Sequence, residues 1–370
     1  MESTRDEKIA KRKKARRRRR IQNFMTVVLV ISILAIASCC FYLWTQMQEE
    51  KNKAIEAMSQ VTELQEEMES GNYITIFEAE KKAKEAKEEA EKAYLNNIQK
   101  MMEDGSTTLT LLETLYPEKI VVANEGRYHF FDINDKLEKA TFDFADLKYP
   151  VLNEETDKYE GEAKWIPNGE VASKKGIDVS KFQGKIDWQK VANDGVDFAY
   201  MRLGYRGYGS GKIVMDDTYE YNIENCNAAG IDTGVYFFTE AISTKEAVEE
   251  ADFILENIRD YHIDLPIVID VEESASSDSR TKNLTKEERT EIVLAFCNRI
   301  KDAGHEVMIY GNLKSMLIMM DIEKLEGYDK WFAYYKYPLR FPYKMRMWQY
   351  TSTGKVNGIK GGVDMNIAFY

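Results

Sequence analysis

Cysteine and histidine are scarce in this chain, with four and three respectively in 370 residues. Cys39 and Cys40 fall inside an apolar run, so only Cys226 and Cys297 remain elsewhere. One bridge at most excludes a disulfide-stapled scaffold, and buried free thiols are the simpler expectation. No Cys/His spacing matches a zinc site. His129, His262 and His305 accompany no Ser or Cys in a nucleophile–base pattern, which sets Ser180 aside as a nucleophile. No ion or organic cofactor is implied. Long hydrophobic runs are scarce too. The one that spans a bilayer's thickness is Phe24 to Trp44, 21 residues without a charge.

Charge is unevenly spread. Residues 1–20 hold eleven Lys/Arg against three Asp/Glu, whereas the other 350 carry 40 basic and 60 acidic side chains. A basic tail can bind nucleic acid, but this one abuts the apolar run. Arg16 to Arg20 then read as a positive-inside anchor, which leaves no case for a nucleic-acid partner. The expectation is a basic cytoplasmic tail at 1–20, a single transmembrane helix at 21–45, and everything beyond outside the cell membrane. Ile36-Ala37-Ser38-Cys39 loosely matches a lipoprotein processing box, but Cys40 to Trp44 continues the apolar run. Either route tethers the chain to an outer membrane face.

Residues 46–104 are polar and helix-prone. Ala79, Ala83, Ala86, Ala90 and Ala93 form a narrow heptad stripe, preceded by Ile55, Met58, Val61, Leu64 and Met68 and broken at Ser70-Gly71-Asn72. This predicts a long helical or coiled-coil spacer, either self-associating or a solvated single helix, of about 80 Å if continuous. Residues 105–172 predict a small α+β insert with a hairpin: Lys119–Ala123, a turn at Asn124-Glu125-Gly126, then Arg127–Phe131.

From Lys175 onward strand and helix signals alternate. Strands are expected at 176–180, 197–203, 232–238, 266–271, 306–310, 330–334, 345–350 and 363–369. Helices are expected at 219–229, 244–258 and 285–303. Eight strands with crossover helices predict an α/β fold: an irregular (β/α) barrel over 173–370, with few helices in its second half. Barrel chemistry sits where strands open into the mouth. Asp270 and Glu272 are two positions apart at the end of the run Leu265–Ile269, so they share a face. Alone, this pair also suits a solvated strand end. Asp178 and Asp364, from the first and last strands, bring four acids from three strands to one mouth.

The segment Gly176-Ile177-Asp178-Val179-Ser180-Lys181-Phe182-Gln183-Gly184, with Ile186-Asp187-Trp188, resembles the opening of the family-25 glycoside hydrolases, the Chalaropsis-type lysozymes. So do Arg202–Gly207, Gly234–Phe238, Asp270-Val271-Glu272, Trp348-Gln349-Tyr350 and Gly361–Asn366. The resemblance covers roughly 175–370. It implies a flattened barrel that cleaves the β-1,4 bond between N-acetylmuramic acid and N-acetylglucosamine in peptidoglycan. It implies Glu272 as general acid/base, Asp270 as the carboxylate that orients the 2-acetamido group, and Asp178 and Asp364 as flanking acids. Retaining, inverting and substrate-assisted routes all remain open on spacing, while the resemblance leans towards acetamido assistance with net retention. Tyr236, Tyr310, Tyr335 and Gln349 are candidates for sugar binding, with Arg202 orienting an acid or a muramyl carboxylate. Core packing competes for each aromatic, and Trp188, Trp331 and Trp348 read as packing residues. The expected activity is wall remodelling by a tethered muramidase. The alternative is a non-catalytic peptidoglycan-binding or envelope scaffold protein.

Overall fold

The computed structural model describes residues 25, 44–45, 47–49, 51–64, 66 and 76–369, apart from 154, 157, 275 and 277. The basic tail and the expected transmembrane run, except Met25 and Trp44, lie outside the described residues. Among the described residues no helix is long and apolar enough to cross a membrane. The chain divides into two compact units, Met1–Thr107 and Thr108–Tyr370.

The first unit corrects the expectation of one continuous spacer. Helical residues 51–64 precede the helix Ile76–Glu103. Asn52 donates to Glu91, and Glu56, one turn later, pairs with Lys87, one turn earlier, at 3.4 Å. Pairing that runs in opposite directions means the two helices are antiparallel. A 28-residue helix is only about 42 Å long at 1.5 Å per residue, so the doubled-back unit reaches about half the expected span. The alanine stripe does not form a coiled-coil seam either, since Ala83 is its one buried member. The inner face runs instead through Ala83, Lys87 and Glu91, where Lys87 and Glu91 pair with Glu56 and Asn52 of the partner helix. Ile55, Met58, Val61 and Leu64 stay exposed.

The second unit begins with the helix Thr108–Leu115 and the antiparallel hairpin β1 (Lys119–Asn124) and β2 (Arg127–Asp132). Its turn residues Glu125 and Gly126 both have positive φ, 50° and 72°, as a two-residue hairpin turn of the right twist requires. Four short strands follow: β3 (Leu147–Lys148), β4 (Val151–Asn153), β5 (Lys158–Glu160) and β6 (Lys164–Trp165), paired β3–β6 and β4–β5. This stretch, expected as a small α+β insert, packs on the barrel within one compact unit. Phe142 stacks on Phe369 at 4.0 Å, the Asn134 amide donates to the Tyr343 hydroxyl at 2.8 Å, and Glu113 pairs with Arg340. Two-stranded hairpins bury too little apolar surface to stand alone, so they borrow the barrel's wall.

The barrel strands are β7 (Lys174–Val179), β8 (Phe198–Arg206), β9 (Ile213–Met215), β10 (Asp232–Phe238), β11 (Ile267–Asp270), β12 (Val307–Asn312), β13 (Asp329–Ala333), β14 (Met347–Gly354) and β15 (Val363–Ala368). The sheet runs β10-β11-β12-β13-β14-β15-β7-β8-β9, and a further β10–β8 pairing closes a ring of eight that leaves β9 outside. Of the elements the sequence left unassigned here, β9 and the one-and-a-half-turn helix Trp188–Asn193 are short and carry little periodic signal. The long crossover helices lie close to expectation: Tyr219–Ala229, Thr244–Asn257 and Lys286–Asp302. Thr285 and Glu288 form a reciprocal capping box that starts the last.

Pairings around the ring are parallel except at β15, which is antiparallel to both β14 and β7. Inward side chains form a core of their own, with Phe198, Tyr200, Met308, Tyr310 and Trp331 among its members. Glycine makes room for them. A Cβ at Gly176 would lie 2.1 Å from the Phe198 ring, and one at Gly234 would lie 2.4 Å from Tyr200. Apolar outward faces pack under the helices, where Val235, Ile269, Val293 and Phe296 are fully buried.

Candidate active site

Asp178 leaves the core one residue before the end of β7, Asp270 ends β11, and Glu272 follows two residues later. Asp364 is the second residue of β15. In an all-parallel barrel that position would face the floor, away from the other acids. Because β15 runs antiparallel, its start lies at the mouth, and Asp364 sits directly opposite Asp178. Asp364 thus reaches the mouth from the start of its strand, and the four acids converge. All four line one cavity of about 900 Å³. Tyr236, Tyr310, Tyr335, Gln349 and Arg202 line it too, so the structure brings together every residue singled out from the sequence.

A polar network organises the floor. Burial holds the Tyr310 and Tyr335 phenols well above their ordinary pKa, so both stay protonated. Both donate to the Gln349 side-chain carbonyl, Tyr310 at 2.8 Å. That fixes the amide's orientation, and its Nε2 donates to Asp178 Oδ2 at 2.7 Å. Asn366 Nδ2 donates to the same oxygen at 2.8 Å, and Asn366 Oδ1 accepts from Trp331 Nε1 at 2.7 Å. Trp331, expected only to pack, is therefore both the centre of the inner core and part of the cavity wall. Trp188 and Trp348 are buried as expected.

The four acids resist ionisation to different degrees. Burial pushes Asp178 up to about 6, against the pull of the donors from Asn366, Gln349 and Asp364. Asp364 rises to about 8, through burial and then the nearby charges of Asp178 and Glu272, and it shares a hydrogen bond with Asp178. The hydrogen bond between those two carboxyls acts oppositely on them, lowering Asp178 and raising Asp364, so the proton stays on Asp364. Glu272 is pushed up to about 7, chiefly by burial and then by Asp178. Asp270 is held well above the carboxylate range by burial, then by Glu272 and Asp178, with Arg202 opposing. Its Oδ1 is buried without a hydrogen-bond partner in the protein. An acid that keeps its proton near neutrality beside an acceptor oxygen left free is suited to protonating a leaving group while holding an N–H of a substrate.

Arg202 departs from expectation. Its guanidinium meets Asp216, with Nε–Oδ2 2.8 Å and Nη2–Oδ2 2.6 Å, and not any of the four acids. Asp216 was missed because it lies on the link after β9, and neither motif nor periodicity marked it. Phe182, Tyr205, Tyr208 and Phe238 also line the cavity and were not singled out. Phe182, Tyr205 and Phe238 lie inside the motifs named above, and the signal was an aromatic residue at or just beyond a strand's C-terminal end. Ser180, set aside as a nucleophile, caps the turn Lys181–Gln183 reciprocally with Gln183. Among the described residues no cluster of His, Cys, Asp and Glu has the arrangement of a metal site.

Residues 177–359 match the family model "Glycosyl hydrolases family 25". Over 209 residues the chain is 29% identical to Lysozyme M1 of Streptomyces globisporus, covering 52% of this chain and 66% of that one. It is 26% identical over 204 residues to the autolytic lysozyme of Clostridium acetobutylicum, covering 52% of this chain and 55% of that one. The chain thus spans about two thirds or less of the length of these relatives. Among solved structures, the fold resembles the modular autolysin LytC from Streptococcus pneumoniae, determined in complex with a synthetic peptidoglycan ligand. That likeness has a TM-score of 0.50 at 21% identity and covers 67% of this chain and 66% of that one. Through the span beginning at Ile177, this chain belongs to glycosyl hydrolase family 25.

Proposed function

We propose that the chain is a muramidase that hydrolyses the β-1,4 bond between N-acetylmuramic acid and N-acetylglucosamine in peptidoglycan. One observation carries the reading: Glu272, its carboxyl pushed up to about 7 by burial, lines one cavity with Asp178, Asp270 and Asp364. Glu272 gives its proton to the glycosidic oxygen as the C1–O bond breaks. Asp270 accepts the acetamido N–H, so that the acetamido oxygen is directed at C1. Glu272, now a carboxylate, takes a proton from the water that completes hydrolysis. Asp178 and Asp364 hold one proton between them and keep negative charge near the cationic transition state. The lysozyme relatives support the substrate class.

The N-terminal part belongs to the same reading. The uncharged run Phe24 to Trp44 behind Arg16–Arg20 supports a single membrane crossing, with the catalytic unit outside and local remodelling of the wall as its task. The exposed Ile55, Met58, Val61 and Leu64 support self-association through the helical unit. Mass spectrometry of digested peptidoglycan tests the activity. Fragments ending in reducing muramic acid are expected, whereas reducing glucosamine ends would assign another glycosidase. Fragment release no higher than in a protein-free control would favour a binding module. Release of the full chain from membranes by alkaline carbonate would refute the crossing.

A further inference from the structure

The geometry points to Phe182 as a built stacking platform for a pyranose ring at the cavity mouth, held by Arg202 and Asp216. This inference rests on the muramidase reading and adds a sugar contact beyond the carboxylates. Phe182 lines the same cavity as the four acids yet is 77% exposed. A lone exposed aromatic needs no explanation. This one is fixed from three sides.

Its backbone lies in the turn Lys181–Gln183, which Ser180 and Gln183 cap reciprocally and Gly184 closes at a φ of 65°. The preceding amide, of Lys181, donates to Asp216 Oδ2 at 3.1 Å. The Arg202 guanidinium lies 5.2 Å from the centre of the Phe182 ring and 5.2 Å from that of Tyr205. Asp216, whose side chain is fully buried, anchors that guanidinium and pins the turn through the same oxygen. Thr218 donates to its other oxygen through both amide and hydroxyl, at 2.9 and 2.7 Å. One buried carboxylate therefore sets both the ring's support and the turn that carries it. A cation held against a ring fixes its orientation without covering it.

The ligand that fits is flat, apolar on one face and polar at its edge. The C–H face of a pyranose meets the ring while its hydroxyls and acetamido group stay in water or reach Tyr208 across the mouth. Asp216 acts through Arg202 and is a positioning residue.

The test measures binding by calorimetry. The full-length Glu272→Gln protein is titrated with an alternating N-acetylglucosamine–N-acetylmuramic acid tetrasaccharide. Adding Phe182→Ala is expected to weaken binding roughly tenfold, the order of one aromatic stacking contact. Phe182→Trp should restore it, and Phe182→Leu, which keeps bulk without a flat face, should not. Undiminished binding by Phe182→Ala, or full rescue by leucine, overturns the platform alone. A Glu272→Gln parent that binds no tetrasaccharide, alongside a wild-type protein inert on peptidoglycan, overturns the muramidase reading and the platform with it.

Discussion

Replacing Glu272 by Gln should destroy activity and, above neutral pH, strengthen the fold. Burial and Asp178 raise the Glu272 carboxyl from an ordinary 4.5 to about 7. The folded protein therefore holds a proton that the unfolded chain has already released. Stability from this group is complete below about pH 4.5 and is lost as pH climbs through about 7. Each tenfold in proton affinity is about 1.4 kcal/mol, so an ionised Glu272 at pH 8 destabilises the barrel by on the order of 3 kcal/mol. Glutamine keeps the shape and never ionises. For a unit of this size about 1 kcal/mol shifts the melting temperature by 2–4 °C. The variant should melt several degrees above wild type at pH 8 and close to it at pH 5, by calorimetry at both values. Release of reducing ends should fall by at least about a hundredfold, the loss expected for a general acid. Wild-type activity should itself decline as pH passes 7. Equal melting of both proteins at pH 8 would refute the buried-proton account, and retained activity would refute the assignment of the acid.

Gln349→Leu removes the acceptor of two phenols and a donor to Asp178. It should cost about 2–4 kcal/mol in urea unfolding, since buried polar groups lose their partners while volume is kept. Gly234→Ala places a methyl 2.4 Å from the Tyr200 ring inside the barrel. A loss of about 1–3 kcal/mol is expected on thermal unfolding, from overpacking. A fragment of residues 173–370 strips Phe142 from Phe369 and Glu113 from Arg340. Size-exclusion chromatography should show it aggregating where 108–370 stays monodisperse.

Much of the site could be read from strand periodicity. Alternation along a strand places Asp270 and Glu272 on one side, and the close match at Asp232–Phe238 shows how strongly an apolar run bounded by turn residues declares itself. The nine residues expected to meet do line one cavity. What escaped notice was of two kinds. Phe182 was read past because an exposed aromatic in a loop has no period. Asp216 was missed because its importance lies in a partner fourteen residues earlier on a different strand. The single long spacer failed for a related reason: helix propensity is local, whereas doubling back depends on Asn52 and Glu56 finding Glu91 and Lys87.

From the sequence alone came which side chains alternate inward, where the capped helices begin and which acids end or open the strands, since these follow from spacing along one chain. The tertiary structure decided that β15 runs against its neighbours and so lifts Asp364 to the mouth. It also decided that Arg202 spends its charge on Asp216, and that residues 108–172 pack within the barrel's compact unit. Each of these rests on pairing between distant segments. A side chain's own sequence specifies its face, but the direction and company of a strand are set by whichever partner buries it best.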